Sequence, residues 1–174
     1  MTRSMTCPVP SNMNPLSPNG FKFSIARIPG LTYFMQDISI PALTLPSIGM
    51  PTPYTNIPFS GESMEFDMLQ LQFLIDGDMA NYVALFRWLR GLGFPEDNTQ
   101  YMEQVANDHL SENAASMSDA TLEILGNTNS TIQTIQFVDC VITSLSALTF
   151  TSTASDVSYL IGDAVFRYSY YDFL

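Results

Sequence analysis

Positive charge is what this sequence has least of. Its 174 residues hold six Lys and Arg against seventeen Asp and Glu, a formal net charge of −11. A groove that grips nucleic acid needs clustered Lys and Arg to displace counterions, and no such cluster is present. An anionic membrane surface is disfavoured as a partner for the same reason. Charge of either sign is sparse at 13% of residues, about half of what globular proteins usually carry. Ser, Thr, Asn and Gln supply most of the polarity instead, a mix suited to surfaces that meet other proteins, because neutral polar groups are less costly to bury than charges.

Residues that do chemistry are equally scarce. The one histidine, His109, sits in an acidic polar stretch, so a Ser-His-Asp or Cys-His site has a single position to build on. No Cys/His spacing fits zinc. Asp76-Gly77-Asp78 lacks the Glu twelve residues on that a calcium loop needs, and Gly91-x-Gly93 follows a helical pattern rather than a strand, unlike a phosphate cradle. Seventeen acids make many carboxylate pairs, none marked out by spacing. The expectation is no enzyme, no metal and no cofactor. Of the two cysteines, Cys7 lies in a Pro-rich tail, and Cys7 and Cys140 read as free thiols of a reducing compartment. The first twenty residues have no apolar core of a signal peptide, and no run approaches a membrane span, so synthesis in a cytosol without export is expected.

What is present is a β pattern interrupted by one helix. Residues 1–20, with Pro8, Pro10, Pro15 and Pro18, read as an extended arm. Phe21, Phe23 and Ile25 alternate with polar or small neighbours as a half-buried strand. Pro29-Gly30 reads as a turn returning residues 31–36 as a hairpin partner. Pro41 marks residues 38–45 as an edge or bulged strand. Four prolines between 46 and 58 predict an extended excursion away from the core.

Residues 57–93 organise the rest. Leu69, Leu71, Phe73 and Ile75 share one strand face, but Met64, Phe66 and Met68 hold the opposite parity, which predicts a bulge or break near Met68. Asp78 reads as the N-cap of a helix in which Tyr82, Leu85, Phe86 and Leu89 form the core-facing stripe, flanked by Trp88, with Asn81, Ala84 and Arg87 opposite. Arg87 and Arg90 suit the helix C-terminus, and Gly91 or Gly93 closes it.

Residues 95–119 hold six acids and no Lys or Arg and read as an exposed insertion. Gly126-Asn127-Thr128-Asn129-Ser130 is a hairpin turn, Leu145–Phe150 reads as a further strand, and residues 164–171 alternate as a last one. No repeat divides residues 21–174, which read as one domain.

The motifs taken in order resemble a known family. N-G-F-K-F-S-I (19–25), P-Y-T-N-I-P-F-S-G-E (53–62), M-E-F-D-M-L-Q-L-Q-F-L-I-D-G-D-M-A-N-Y-V-A-L-F-R-W-L (64–89), F-V-D-C-V-I-T-S (137–144) and A-V-F-R-Y-S-Y (164–170) are similar to the tail-tube family of contractile-tailed bacteriophages, which includes tube and baseplate tube-initiator proteins. The closest likeness is the strand, acidic turn and helix bearing Asn81, Tyr82 and Trp88.

The resemblance implies a mostly β (α+β) fold, a β-barrel-like sandwich of antiparallel strands flanked by one amphipathic helix packed through Tyr82, Leu85, Phe86, Trp88 and Leu89. It implies hexameric rings stacked into a tube in the virion tail, with sheath, tape-measure or baseplate proteins as partners. DNA would pass through non-specifically, along a lumen to which Glu62, Glu65, Asp67 and Asp76 contribute. Residues 46–58 and 95–119 become candidates for ring-to-ring contact. A tail completion or terminator protein on the same fold is the nearest alternative, and a ligand-binding β-barrel with an apolar cavity is a more distant one.

Overall fold

The computed structural model describes residues 13–93, 116–152 and 159–174, with Thr99 and Met102 between the first two spans. His109, Cys7 and most of the acidic insertion lie outside the described residues.

The chain is mostly antiparallel β with one main helix. Strand β1 (Phe21–Ile25) is followed by a 3-10 turn at Pro29–Phe34, then β2 (Met35–Ser39), β3 (Leu43–Thr44), β4 (Ser47–Pro51), β5 (Asn56–Ser60), β6 (Glu65–Phe66) and β7 (Leu69–Leu74). Helix α1 (Ala80–Gly93) precedes β8 (Ser118–Leu125), β9 (Thr131–Leu145), β10 (Ile161–Arg167) and β11 (Tyr170–Phe173). The main ladder runs β1-β8-β9-β10-β7-β2, with β11 also on β9. Among the described residues its two end strands, β1 and β2, each pair on one side only, so the barrel-like expectation resolves as a sandwich whose sheets are not closed.

A crease makes the sandwich. The fifteen-residue β9 pairs with β8 and β11 through its first half and with β10 through its second. Between the halves Asp139 has φ 57, a left-handed conformation uncommon for a residue with a side chain. Its amide is 3.3 Å from an Asp119 carboxylate oxygen, and its own carboxylate accepts from the Ser169 hydroxyl at 3.1 Å. Tyr168 and Ser169, which separate β10 from β11, lie opposite this kink. Phe166↔Ile142 and Tyr170↔Val138 keep one register across it. The stretch 164–171, expected as one alternating strand, is thus two strands on β9, with a register shift between Val165 and Phe166 and a change of face at the break that turns Tyr171 rather than Tyr170 to the core.

Bending brings the apolar faces of both halves together. Phe23, Ile25, Ala120, Leu122, Ile135 and Phe137 from one side meet Leu69, Leu71, Phe73, Ile142, Ala164 and Phe166 from the other in a single buried cluster. Gly162 lets β10 pass close over Phe73, since a Cβ there would stand 3.0 Å from the ring.

Three local expectations are corrected. Residues 31–36 do not return on β1: Pro29–Phe34 winds as a 3-10 turn and β2 pairs with β7 instead. Proline fixes the φ that such a turn uses, and the buried Leu31 anchors it. Leu145 ends β9, and residues 146–150 form no strand. The proline-rich excursion does leave the core, but β4 and β5 pair regularly within it, Ser47↔Ser60 to Pro51↔Asn56. An isolated two-stranded ribbon has one open side on each strand, where prolines cost no ladder bond. The break expected near Met68 falls between β6 and β7.

The helix face is also corrected. Its buried residues are Asn81, Leu85, Trp88 and Gly91, and Phe86 is 49% exposed. The buried stripe is rotated by roughly 100°, over a quarter of a turn, from the 82, 85, 86, 89 set. Leu85 and Trp88 are core residues as expected, while Tyr82 and Leu89 are partly buried at its margin. Two interactions set the rotation. The Trp88 ring lies 5.8 Å from that of Phe166, and the Asn81 side chain is drawn into the preceding turn. Asp78 is exposed, and the carbonyl of Met79 (φ 55), not of Asp78, accepts the first helical bond, from Val83 N–H at 2.9 Å.

Candidate functional site

Two surfaces carry features that the fold alone does not require. The first is the outer face of β2, β7 and β10. Because side chains alternate along a strand, Leu69, Leu71 and Phe73 enter the core and Gln70 and Gln72 point away. The same parity puts Asp163, Val165 and Arg167 of β10 outward. The register aligns Asp37, Gln72 and Asp163 in one row across three strands, and Ser39, Gln70 and Val165 in the next. Gln72 Nε2 donates to Asp163 Oδ1 at 2.9 Å. Asp163 N–H donates to Ser146 Oγ at 2.8 Å, which ties the row to the chain leaving β9.

This face is a shallow groove lined by amides, hydroxyls and two carboxylates. Across β2, β7 and β10 the only cation is Arg167. Helix α1 lies on the other side of β10, against Phe166. A surface of this kind offers hydrogen bonds in both senses.

The second surface is the arm between β2 and β7. Residues 40–68 make the small ribbons β3–β6 and β4–β5. In the β4–β5 ribbon the directly opposed pairs Ile48↔Phe59 and Met50↔Ile57 share one face, and Ser47↔Ser60 and Gly49↔Pro58 share the other. The four apolar side chains are 45–65% exposed. At the tip the Thr52 hydroxyl donates to the Thr55 carbonyl and accepts from Thr55 N–H at 3.2 Å, leaving Tyr54 99% exposed. A two-stranded ribbon with an uncovered apolar face is marginal by itself in water.

The four acids expected at a lumen do not form one group. Glu62 and Glu65 ride on the arm, both exposed, with Glu65 paired to Thr44 in the β3–β6 ribbon. Asp67 stands at the arm's return, its N–H on the Ala42 carbonyl at 3.1 Å. Asp76 lies beyond the far end of β7, separated from Asp67 by the whole strand, where its carboxylate accepts from Gly77 N–H at 2.7 Å. The acids that share a sheet face are Asp37 and Asp163, which sequence reasoning did not single out. Their strand parity was the available signal: each stands where the alternation points outward.

Burial perturbs two groups. Cys140, a free buried thiol in the crease, is pushed up to about 12 by burial and then by the Asp119 carboxylate. Tyr168 is also raised to about 12, by burial first and then by neighbouring Tyr171 and Asp67. Neither is poised to react at neutral pH, because a nucleophilic thiol needs a lowered value.

No protein-family model matches the chain, and no curated protein matches it by sequence. Solved structures do match. The chain aligns with a protein of the PVC sheath/tube terminator, an extracellular contractile injection system in its extended state, at TM-score 0.61 and 12% identity over 92% of this chain and 97% of the other. It aligns equally with a protein of the anti-feeding prophage baseplate (TM-score 0.60, 14% identity, 92% and 96% coverage) and one of the PVC sheath-tube complex (TM-score 0.59, 12% identity, 93% of each). The chain therefore has a tail-tube-family fold, shared with these baseplate, sheath-tube and terminator proteins.

Proposed function

We propose that this chain is a structural subunit of a contractile tail or injection-system tube. It assembles as a hexameric ring, and rings stack through the β4–β5 arm. The observation that carries this reading is the fold match along nearly the whole of both chains to tube, baseplate and terminator proteins. The low charge density, the open ladder edges β1 and β2, and the arm's uncovered apolar face support it. An unpaired strand edge calls for a partner edge, and an exposed apolar ribbon calls for a partner surface.

In this reading the face bearing Asp37, Gln70, Gln72 and Asp163 lines the channel and α1 lies outside. Asp76 borders that wall at one end, and Glu62, Glu65 and Asp67 reach the channel from the seam between rings. Cargo slides because the wall presents little positive charge. A polyanion such as DNA finds no counterion-releasing groove there. The subunit catalyses nothing: its wall is a bearing surface located in the tail.

A second reading is a baseplate initiator or terminator that caps the tube rather than repeating along it. The equal match to baseplate and terminator structures favours it. Sedimentation and native mass spectrometry of the purified chain test both. Rings that elongate support the tube, rings that stay single support the cap, and monomers at high concentration contradict both.

A further inference from the structure

The arm does not leave the sandwich through a free hinge. Its outgoing limb leaves at Pro41 and its return ends at Asp67, and the carbonyl of each of these residues accepts from a tyrosine. Tyr171 Oη donates to the Pro41 carbonyl at 3.1 Å, and Tyr168 Oη donates to the Asp67 carbonyl at 2.8 Å. Between them, Phe66 presents edge-on contacts to both rings, at 6.0 Å from each. The two tyrosines pack in turn on the fully buried Phe137, at 5.2 and 5.4 Å.

Both tyrosines stand at the crease, Tyr168 in the break between β10 and β11 and Tyr171 within β11. Their rings belong to the core and their hydroxyls to the arm, so one device couples the bend of the sheet to the direction of the arm.

We propose that Tyr168 and Tyr171 are positioning residues that clamp both roots of the 40–68 arm and so fix the angle at which its apolar ribbon meets a second copy of this chain. The proposal rests on the tube-subunit reading for the second copy, but the clamp itself does not. Packing alone would be served by phenylalanine at either position. The hydroxyls matter because each satisfies a backbone carbonyl at the point where the arm stops pairing with the sheet. The Tyr168 hydroxyl remains a donor throughout the physiological range, since burial holds it up near 12.

The test is the double variant Tyr168→Phe/Tyr171→Phe, which keeps the rings and removes the hydroxyls. Hydrogen exchange is read at the Asp67 amide, bonded to Ala42, and at the β8–β9 amides as an internal control. Expected is at least a tenfold faster exchange at the arm root, unchanged β8–β9 protection, and ring assembly shifted to about tenfold higher protein concentration. Unchanged exchange at the arm root overturns the clamp. Faster exchange with unaltered assembly overturns its role in docking. Wild-type protein that forms no rings contradicts the tube reading instead, and the exchange result still decides the clamp. Should the double variant not fold, Tyr171→Phe alone and Phe66→Leu, which loosens the same root from the arm's side, give the same readout.

Discussion

Asn81 reaches back from the first turn of α1 and donates its side-chain amide to the carbonyl of Leu74, the last residue of β7, at 2.8 Å. Its Oδ1 accepts from Tyr82 N–H at 2.8 Å and lies 3.3 Å from Asp76 N–H. One nearly buried polar side chain thus closes the strand-to-helix corner, satisfying groups that the strand end and the helix start leave open. Replacing it with alanine orphans these groups in a site that water reaches poorly. Asn81→Ala is expected to lower stability by about 2–3 kcal/mol, measured by urea denaturation. Asn81→Asp keeps the acceptor, loses the donor to Leu74, and falls in between.

Phe86 and Trp88, two of the three aromatic residues of α1, separate by exposure. Trp88 is 2% exposed, with Arg27 stacked over its ring at 5.2 Å. Trp88→Ala is expected to cost about 3–5 kcal/mol, whereas Phe86→Ser changes monomer stability by less than about 0.5 kcal/mol. Denaturation midpoints of the two variants check this. A large loss at Phe86 would mean that the sequence-derived stripe is the packed one.

That contrast shows what the sequence discloses. Alternation in β1, β7 and β10 gave correct inward residues because strand parity is strict, and a core position differs from a surface one at every step. The phase slip at Met68 was legible for the same reason. The helix face was not, because α1 places an apolar ring on its outer side and buries a polar amide on its inner side. Periodicity weighs both wrongly, since Asn81 is held by hydrogen bonds rather than hydrophobicity. The position of Glu62, Glu65 and Asp67 on the arm was not legible for another reason: the strand pattern gives faces within a strand but not where the arm carries them. The row Asp37, Gln72, Asp163 needs the register, which no local pattern records.

Alkaline pH should weaken the fold in a defined window. Cys140 moves from 9.0 to about 12 on folding and Tyr168 from 10.0 to about 12. For both, the folded value is raised, so their contribution is intact below the unfolded value and is lost as pH rises toward the folded one. Stability is expected to fall from about pH 9 to 12, with Cys140 contributing more than the less buried Tyr168. Denaturation curves across this range check the slope, and Cys140→Ala is expected to remove the portion that begins near 9.

The arm separates folding from assembly. Ile48 and Phe59 face each other on the exposed ribbon and touch none of the buried core. Ile48→Asp with Phe59→Asp is expected to leave the denaturation midpoint within about 0.5 kcal/mol of the parent while abolishing higher-order association in sedimentation. Full association of that variant would show that the ribbon is not a contact surface.

The most direct test of the tube-subunit reading is an electron-microscopy reconstruction of the assembled protein. The account predicts closed sixfold rings with Gln70, Gln72 and Asp163 on the inner wall, α1 and Phe86 on the outside, and the β4–β5 ribbon in contact with a neighbouring copy. Rings with α1 facing the channel would contradict the assignment of faces, and a protein that stays monomeric at every concentration would contradict the tube itself.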